Sequence, residues 1–108
     1  MSRFLLTPAP LDEQAIAQQL QSAHAGAIVT FAGRVRDHAR GHSVIALEYE
    51  AYAEMAERVF AQIASEARSQ FGVEDIAVHH RSGTLAVGEV SVVVAVAAAH
   101  RAAALDAC

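Results

Sequence analysis

Apolar and polar residues alternate along this chain with two different periods, and the changes of period mark out its elements. Phe4, Leu5 and Leu6 open a strand read over Arg3 to Thr7, which Pro8 and Pro10 break. Leu11, Ala15, Ile16, Leu20 and Ala23 recur at helical spacing, so Leu11 to Ala23 reads as an amphipathic helix with Gly26 as its C-terminal cap. Ala27 to Val35 is apolar at both odd and even positions, which predicts a strand covered on both faces. Arg36 to His42 is polar, contains Gly41, and reads as an exposed loop. Val44 to Tyr49 alternates strictly, with Ile45, Leu47 and Tyr49 opposite Glu48 and Glu50, as a half-buried strand does.

The longest helical pattern runs from Tyr52 to Phe71. Met55, Val59, Ile63 and Ala56, Phe60, Ala64, Ala67 form one apolar stripe, Glu54 and Arg58 pair outside it, and Gly72 ends it. Ile76 to Arg81 reads as a strand, with Ile76, Val78 and His80 on one face, His80 as a core or interface histidine, and His79 and Arg81 on the other. Ser82-Gly83 and Val87-Gly88-Glu89 are turns on either side of Leu85 to Val87. Val90 to Ala98 is a further strand, and Ala99 to Cys108 begins a helix. The order is β-α-β-β-α-β-β-α. Short turns between strands require antiparallel pairing, which points to a two-layer α+β domain over residues 1–108 with a largely antiparallel sheet.

Composition narrows the function. The chain has 108 residues, 54% of them hydrophobic, an apolar surplus for a domain this small, and contact with another copy of the chain is expected to take it up. Val90 to Ala98 and its neighbours are the expected interface. No run approaches the ~18 apolar residues of a membrane span, and no basic-then-apolar leader is visible. A net charge of −4 speaks against a nucleic-acid surface. All eight basic residues are arginines, so these residues supply no Schiff-base or general-acid lysine. The single cysteine, Cys108, allows no internal disulfide and no cysteine metal cluster; it reads as a small apolar residue, and a reducing cytoplasm fits.

Three basic clusters carry the candidate chemistry. In Gly33-Arg34-Val35-Arg36, strand alternation puts both guanidiniums on one face, where they would converge on one anion; periodicity by itself favours a solvated strand end. His100-Arg101 stands where the last strand meets a helix, as an anion site or an ordinary corner. In His79-His80-Arg81 the adjacent imidazoles point oppositely and cannot chelate together. No His or Cys spacing supports zinc, and no metal is expected. On residues alone this is a small α+β domain with an arginine-lined anion site, an enzyme or a sensor of a phosphorylated ligand.

Five stretches in this order resemble the molybdopterin synthase large-subunit (MoaE) family. They are Gly26 to Arg36, Leu47 to Tyr52 with Met55-Ala56, His79 to Leu85, Val87-Gly88-Glu89, and Ala99 to Ala104. The resemblance implies an α/β-hammerhead fold and transfer of sulfur to cyclic pyranopterin monophosphate, forming the molybdopterin dithiolene. The sulfur donor is a thiocarboxylate on the Gly-Gly C-terminus of a small ubiquitin-like subunit, two of which flank a large-subunit homodimer in a heterotetramer. No cofactor is implied. The family's substrate pocket maps onto Arg34, Val35, Arg36, His100 and Arg101, with His100 as a proton shuttle. The family also uses a further helix and a Trp-Lys-Lys-Glu-like segment. These 108 residues hold no lysine, so the binding residues carry over and the catalytic lysines do not.

Overall fold

A computed structural model describes residues 2–20, 22–39, 42–43, 46–49 and 52–108. Its frame is a four-stranded sheet in the order β1-β6-β8-β2. The strands are β1 (Phe4–Thr7), β2 (Ala27–Arg34), β6 (Asp75–Arg81) and β8 (Val90–Ala98). β8 pairs antiparallel with both β2 and β6, and β1 joins β6 in parallel. Two small antiparallel pairs complete the strands. β3 (His38–Ala39) meets β4 (His42–Ser43), and β5 (Ala46–Tyr49) meets β7 (Gly83–Ala86). The expected α+β class and largely antiparallel sheet are both present. Arg40 and Gly41 of the expected loop, Val44 and Ile45 of the expected strand, and Glu50 and Ala51 lie outside the described residues.

The two faces of β8 build two cores. Val93, Ala95 and Ala97, with Ala77 of β6, face α1 (Glu13–Gln18); the small alanines let Ile16 and Leu20 settle onto the sheet, each 1% exposed. Burying such a side chain contributes roughly 1.5–3 kcal/mol. On the other face Val96 and Ala98, with Ile76 of β6, meet Ala64 of α2 (Ala53–Phe71) and Ala104 of α3 (Arg101–Ala107). The two-layer description fits the sheet with α2 and α3, and α1 covers the remaining face.

Several expectations shift. Helix α1 is six residues long, capped by the Asp12 carboxylate on the Ala15 N–H, and ends at Gln19 rather than near Gly26. Gly26 serves close approach instead: a Cβ there would lie 2.5 Å from the Ala99 carbonyl oxygen. β2 is an edge strand, covered unequally, with Ile28 45% and Phe31 53% exposed. β8 is an interior strand with both sides paired inside the chain, so it cannot itself offer an edge to another copy; the sheet's edges are β1 and β2, and β2 is the one beside β8. β6 and β7, though nearly consecutive, do not pair with each other; β7 crosses to β5. On β6 it is His79 that is buried, at 2%, with Nε2 2.7 Å from the Ser2 carbonyl oxygen, while His80 is half-buried. The face of α1 covers the His79 side, which the pattern within β6 does not reveal. Helix α2 ends as expected, on Gly72 in the left-handed conformation (φ 68°), yet the sheet covers only part of its stripe: Met55, Val59 and Ile63 stay exposed.

Candidate anion site at the ends of the paired strands β2 and β8

Arg34, Val35 and Arg36 sit where β2 runs out. The β2–β8 register slips between Gly33 and Arg34, so that Arg34 stands opposite Val90, and β2 ends there. Beyond the slip, the chain is held by the turn between β7 and β8. The Val35 N–H donates to the Glu89 carbonyl (3.0 Å) and the Gly88 N–H donates to the Val35 carbonyl (2.8 Å). Gly88 has φ 90°, a left-handed conformation that glycine adopts without strain. The Arg34 Nε donates to the Gly88 carbonyl at 3.1 Å, so this side chain lies along the turn rather than projecting beside Arg36. Val35 is 3% exposed, and its side chain belongs to the core. Arg36 is exposed just beyond. The alternation expected to align Arg34 with Arg36 stops at the bulge, because the second arginine is no longer in a strand.

His100 and Arg101 occupy the opposite end. His100 is the N-cap residue of α3 in extended conformation (φ −131°, ψ 153°), with no side-chain bond to the helix, and Arg101 is the first helical residue; both are exposed. Ala98, two residues before His100, pairs with Ala27 at the start of β2. From Ala27 to Arg34 is seven strand steps, roughly 23 Å at ~3.3 Å per residue. Within one chain, therefore, the two basic clusters are at opposite ends of the antiparallel β2–β8 pair and do not share an anion. Among the described residues no group of three or more His, Cys, Asp or Glu side chains is placed to hold a metal, and no helix is long and apolar enough to cross a membrane.

Arg81 of the third basic cluster comes to lie beside the first, a contact the pattern does not show. Arg81 is drawn in beside the turn: its Nη1 contacts the Glu89 carboxylate and its Nη2 donates to the Pro8 carbonyl at 2.8 Å. The signal in the sequence is only that a basic strand end and an acidic turn lie eight residues apart, which does not by itself predict a contact.

Comparison with known proteins bears on the family and the fold. The MoaE protein family profile matches residues 6–108. A molybdopterin synthase catalytic subunit of Bacillus subtilis is 41% identical over 107 residues, covering 99% of this chain and 68% of the relative. A crystal structure of molybdopterin synthase from Staphylococcus aureus superposes with a TM-score of 0.93 at 33% identity, covering 99% of this chain and 78% of that one. A complex of subunits 1 and 2 of the molybdopterin-converting factor from Helicobacter pylori superposes at 0.76 with 20% identity, over 98% of this chain and 72% of that one, a likeness of fold. The chain spans from 45% to 70% of the length of curated relatives it matches. With a family profile over nearly its whole length, a close relative in sequence and the same fold in space, the chain belongs to the MoaE family, whose curated members here are molybdopterin synthase catalytic subunits.

Proposed function

We propose that this chain is the substrate-holding part of a molybdopterin synthase catalytic subunit and that its pterin phosphate site is assembled between two copies. The observation that carries the first half is the family match over residues 6–108. The second half rests on the β2–β8 pair. Arg36 and the His100–Arg101 pair lie beyond opposite ends of it, and β2 alone spans roughly 23 Å, yet a single cyclic phosphate is a few ångströms across. A two-fold axis beside the exposed β2 edge brings Arg36 of one copy toward His100 and Arg101 of the other, since an isologous contact pairs unlike ends of the same strand. Exposed Ile28 and Phe31 on β2 supply apolar area for that contact.

In this reading Arg36 and Arg101 grip the substrate phosphate, arginine forks fixing its orientation. Val35 and Arg34 set the height and direction of the Arg36 backbone. His100, which has no capping bond to hold it, is placed to relay a proton. Sulfur is delivered to cyclic pyranopterin monophosphate from the thiocarboxylate of a small ubiquitin-like subunit ending in Gly-Gly. The complex of subunits 1 and 2 of the molybdopterin-converting factor from Helicobacter pylori supports a second subunit as a partner on this fold. The assembly is a large-subunit homodimer with a small subunit at each end.

Calorimetry with cyclic pyranopterin monophosphate tests the reading. We expect saturable binding with one pterin per chain, weakened by Arg36→Ala and by Arg101→Ala while the thermal midpoint barely moves. Absence of saturable binding to the folded parent protein would refute it.

A further inference from the structure

Arg81 and Glu89 are outside every role assigned above, yet their placement is unusual for a surface ion pair. The Arg81 side chain is only 13% exposed, against 43% for Glu89. Its Nε is buried without a hydrogen-bond partner among the described residues. Drawing a guanidinium this far in carries a desolvation cost that is offset only by well-formed contacts around it. Those contacts can be traced bond by bond. Arg81 is anchored through Nη2 to the Pro8 carbonyl and by register to Thr7 on β1. Through Nη1 it holds the Glu89 carboxylate. The Glu89 carbonyl accepts the Val35 N–H, and the neighbouring Gly88 both donates to the Val35 carbonyl and accepts from Arg34 Nε. The sheet's β1–β6 side is thereby tied, across the β7–β8 turn, to the segment that presents Arg36.

We propose that Arg81 and Glu89 are positioning residues: they brace the Val87–Glu89 turn so that Val35 is held by both its N–H and its C=O and Arg36 is presented in one direction. The proposal rests on the substrate role given to Arg36 above. Neither residue touches substrate in it; each acts through the backbone of Val35.

Two measurements on Glu89→Gln and on Arg81→Gln test it. The first is amide hydrogen exchange, which needs no ligand. In either variant the Val35 and Gly88 amides should lose roughly tenfold of their protection, while Ala77 and Ala95 in the sheet centre keep theirs, since local opening is distinct from global unfolding. The second is calorimetry with cyclic pyranopterin monophosphate in a mutant cycle. Glu89→Gln should weaken binding roughly five- to tenfold in the parent and in Arg101→Ala, and have almost no further effect in Arg36→Ala, because coupled residues are not additive. Unchanged exchange at Val35 and Gly88 overturns the brace, and so does an equal loss of affinity in all three backgrounds, which a merely structural role would give. If the parent binds no pterin, the functional reading fails, and exchange still decides whether the turn is braced.

Discussion

Single residues set the local geometry on which the site depends. A methyl group at Gly26 would be driven into the Ala99 carbonyl oxygen, 2.5 Å from its Cβ, and that atom is backbone with little room to yield. Gly26→Ala should therefore cost about 1–3 kcal/mol in urea denaturation, with resonance shifts reaching His100. By contrast, Gly72→Ala meets nothing within 4 Å and is penalised only for its φ of 68°, so about 1 kcal/mol is expected. Equal losses at the two positions would mean the Gly26–Ala99 approach is not tight. Cys108 is exposed as a residue, contrary to its reading as a buried apolar one, yet its thiol lines a groove with Phe60, Ile63 and Ala107. Burial pushes the thiol pKa upward, so the thiolate is the disfavoured form. The fold's preference for the protonated thiol is complete at neutral pH and disappears as pH rises through the folded-state value. Iodoacetamide should label Cys108 more slowly at pH 8 in the folded protein than in urea; an equal or faster rate when folded would contradict this.

At the scale of elements, most of the secondary structure was legible because burial imposes a period on the chain. Helix α2 and strands β1, β6 and β8 fall within a residue or two of where the pattern puts them. What the pattern does not encode is which neighbour covers a face. Leu11, Leu20 and Ala23 carry the apolar spacing of α1 beyond the six residues that form the helix. Ile28 and Phe31 read as buried because the chain does not announce that β2 is an edge. The stripe of α2 likewise reads as uniform, but only the side with Ala64 reaches the core; Ile63 is 56% exposed and Val96 on β8 fully buried. Val96→Ala should thus cost about 2 kcal/mol, whereas Ile63→Ala should stay within about 0.5–1 kcal/mol, both by urea denaturation. A loss at Ile63 equal to that at Val96 would show that something covers α2. The site was legible in part: Arg36, His100 and Arg101 are all exposed at element ends, but the bulge after Gly33 that turns Arg34 away has no signature in the alternation.

For the molecule as a whole, chemistry and assembly are one question. The 108 residues contain no lysine, and arginine does not release its proton near neutrality, so within the proposed site the acid is His100. Given thiocarboxylated small subunit and cyclic pyranopterin monophosphate, this 108-residue chain should form molybdopterin roughly 100- to 10,000-fold more slowly than a longer relative, the usual cost of a missing acid–base group. Turnover near the relative's rate would show that His100 suffices. Sedimentation at micromolar concentration should give a species about twice the 11.4 kDa chain mass.

The central claim, a phosphate site shared between copies, is tested most directly by mixing two defective chains. Arg36→Ala and Arg101→Ala proteins, each expected to bind cyclic pyranopterin monophosphate poorly, would be unfolded together in equal amounts, refolded and titrated by calorimetry. If each site takes Arg36 from one copy and Arg101 from the other, half of the dimers are mixed and each has one intact site, so roughly a quarter of the parent's high-affinity sites should return. A mixture that binds no better than the two variants measured separately would contradict the shared site and place both arginines' roles within a single chain.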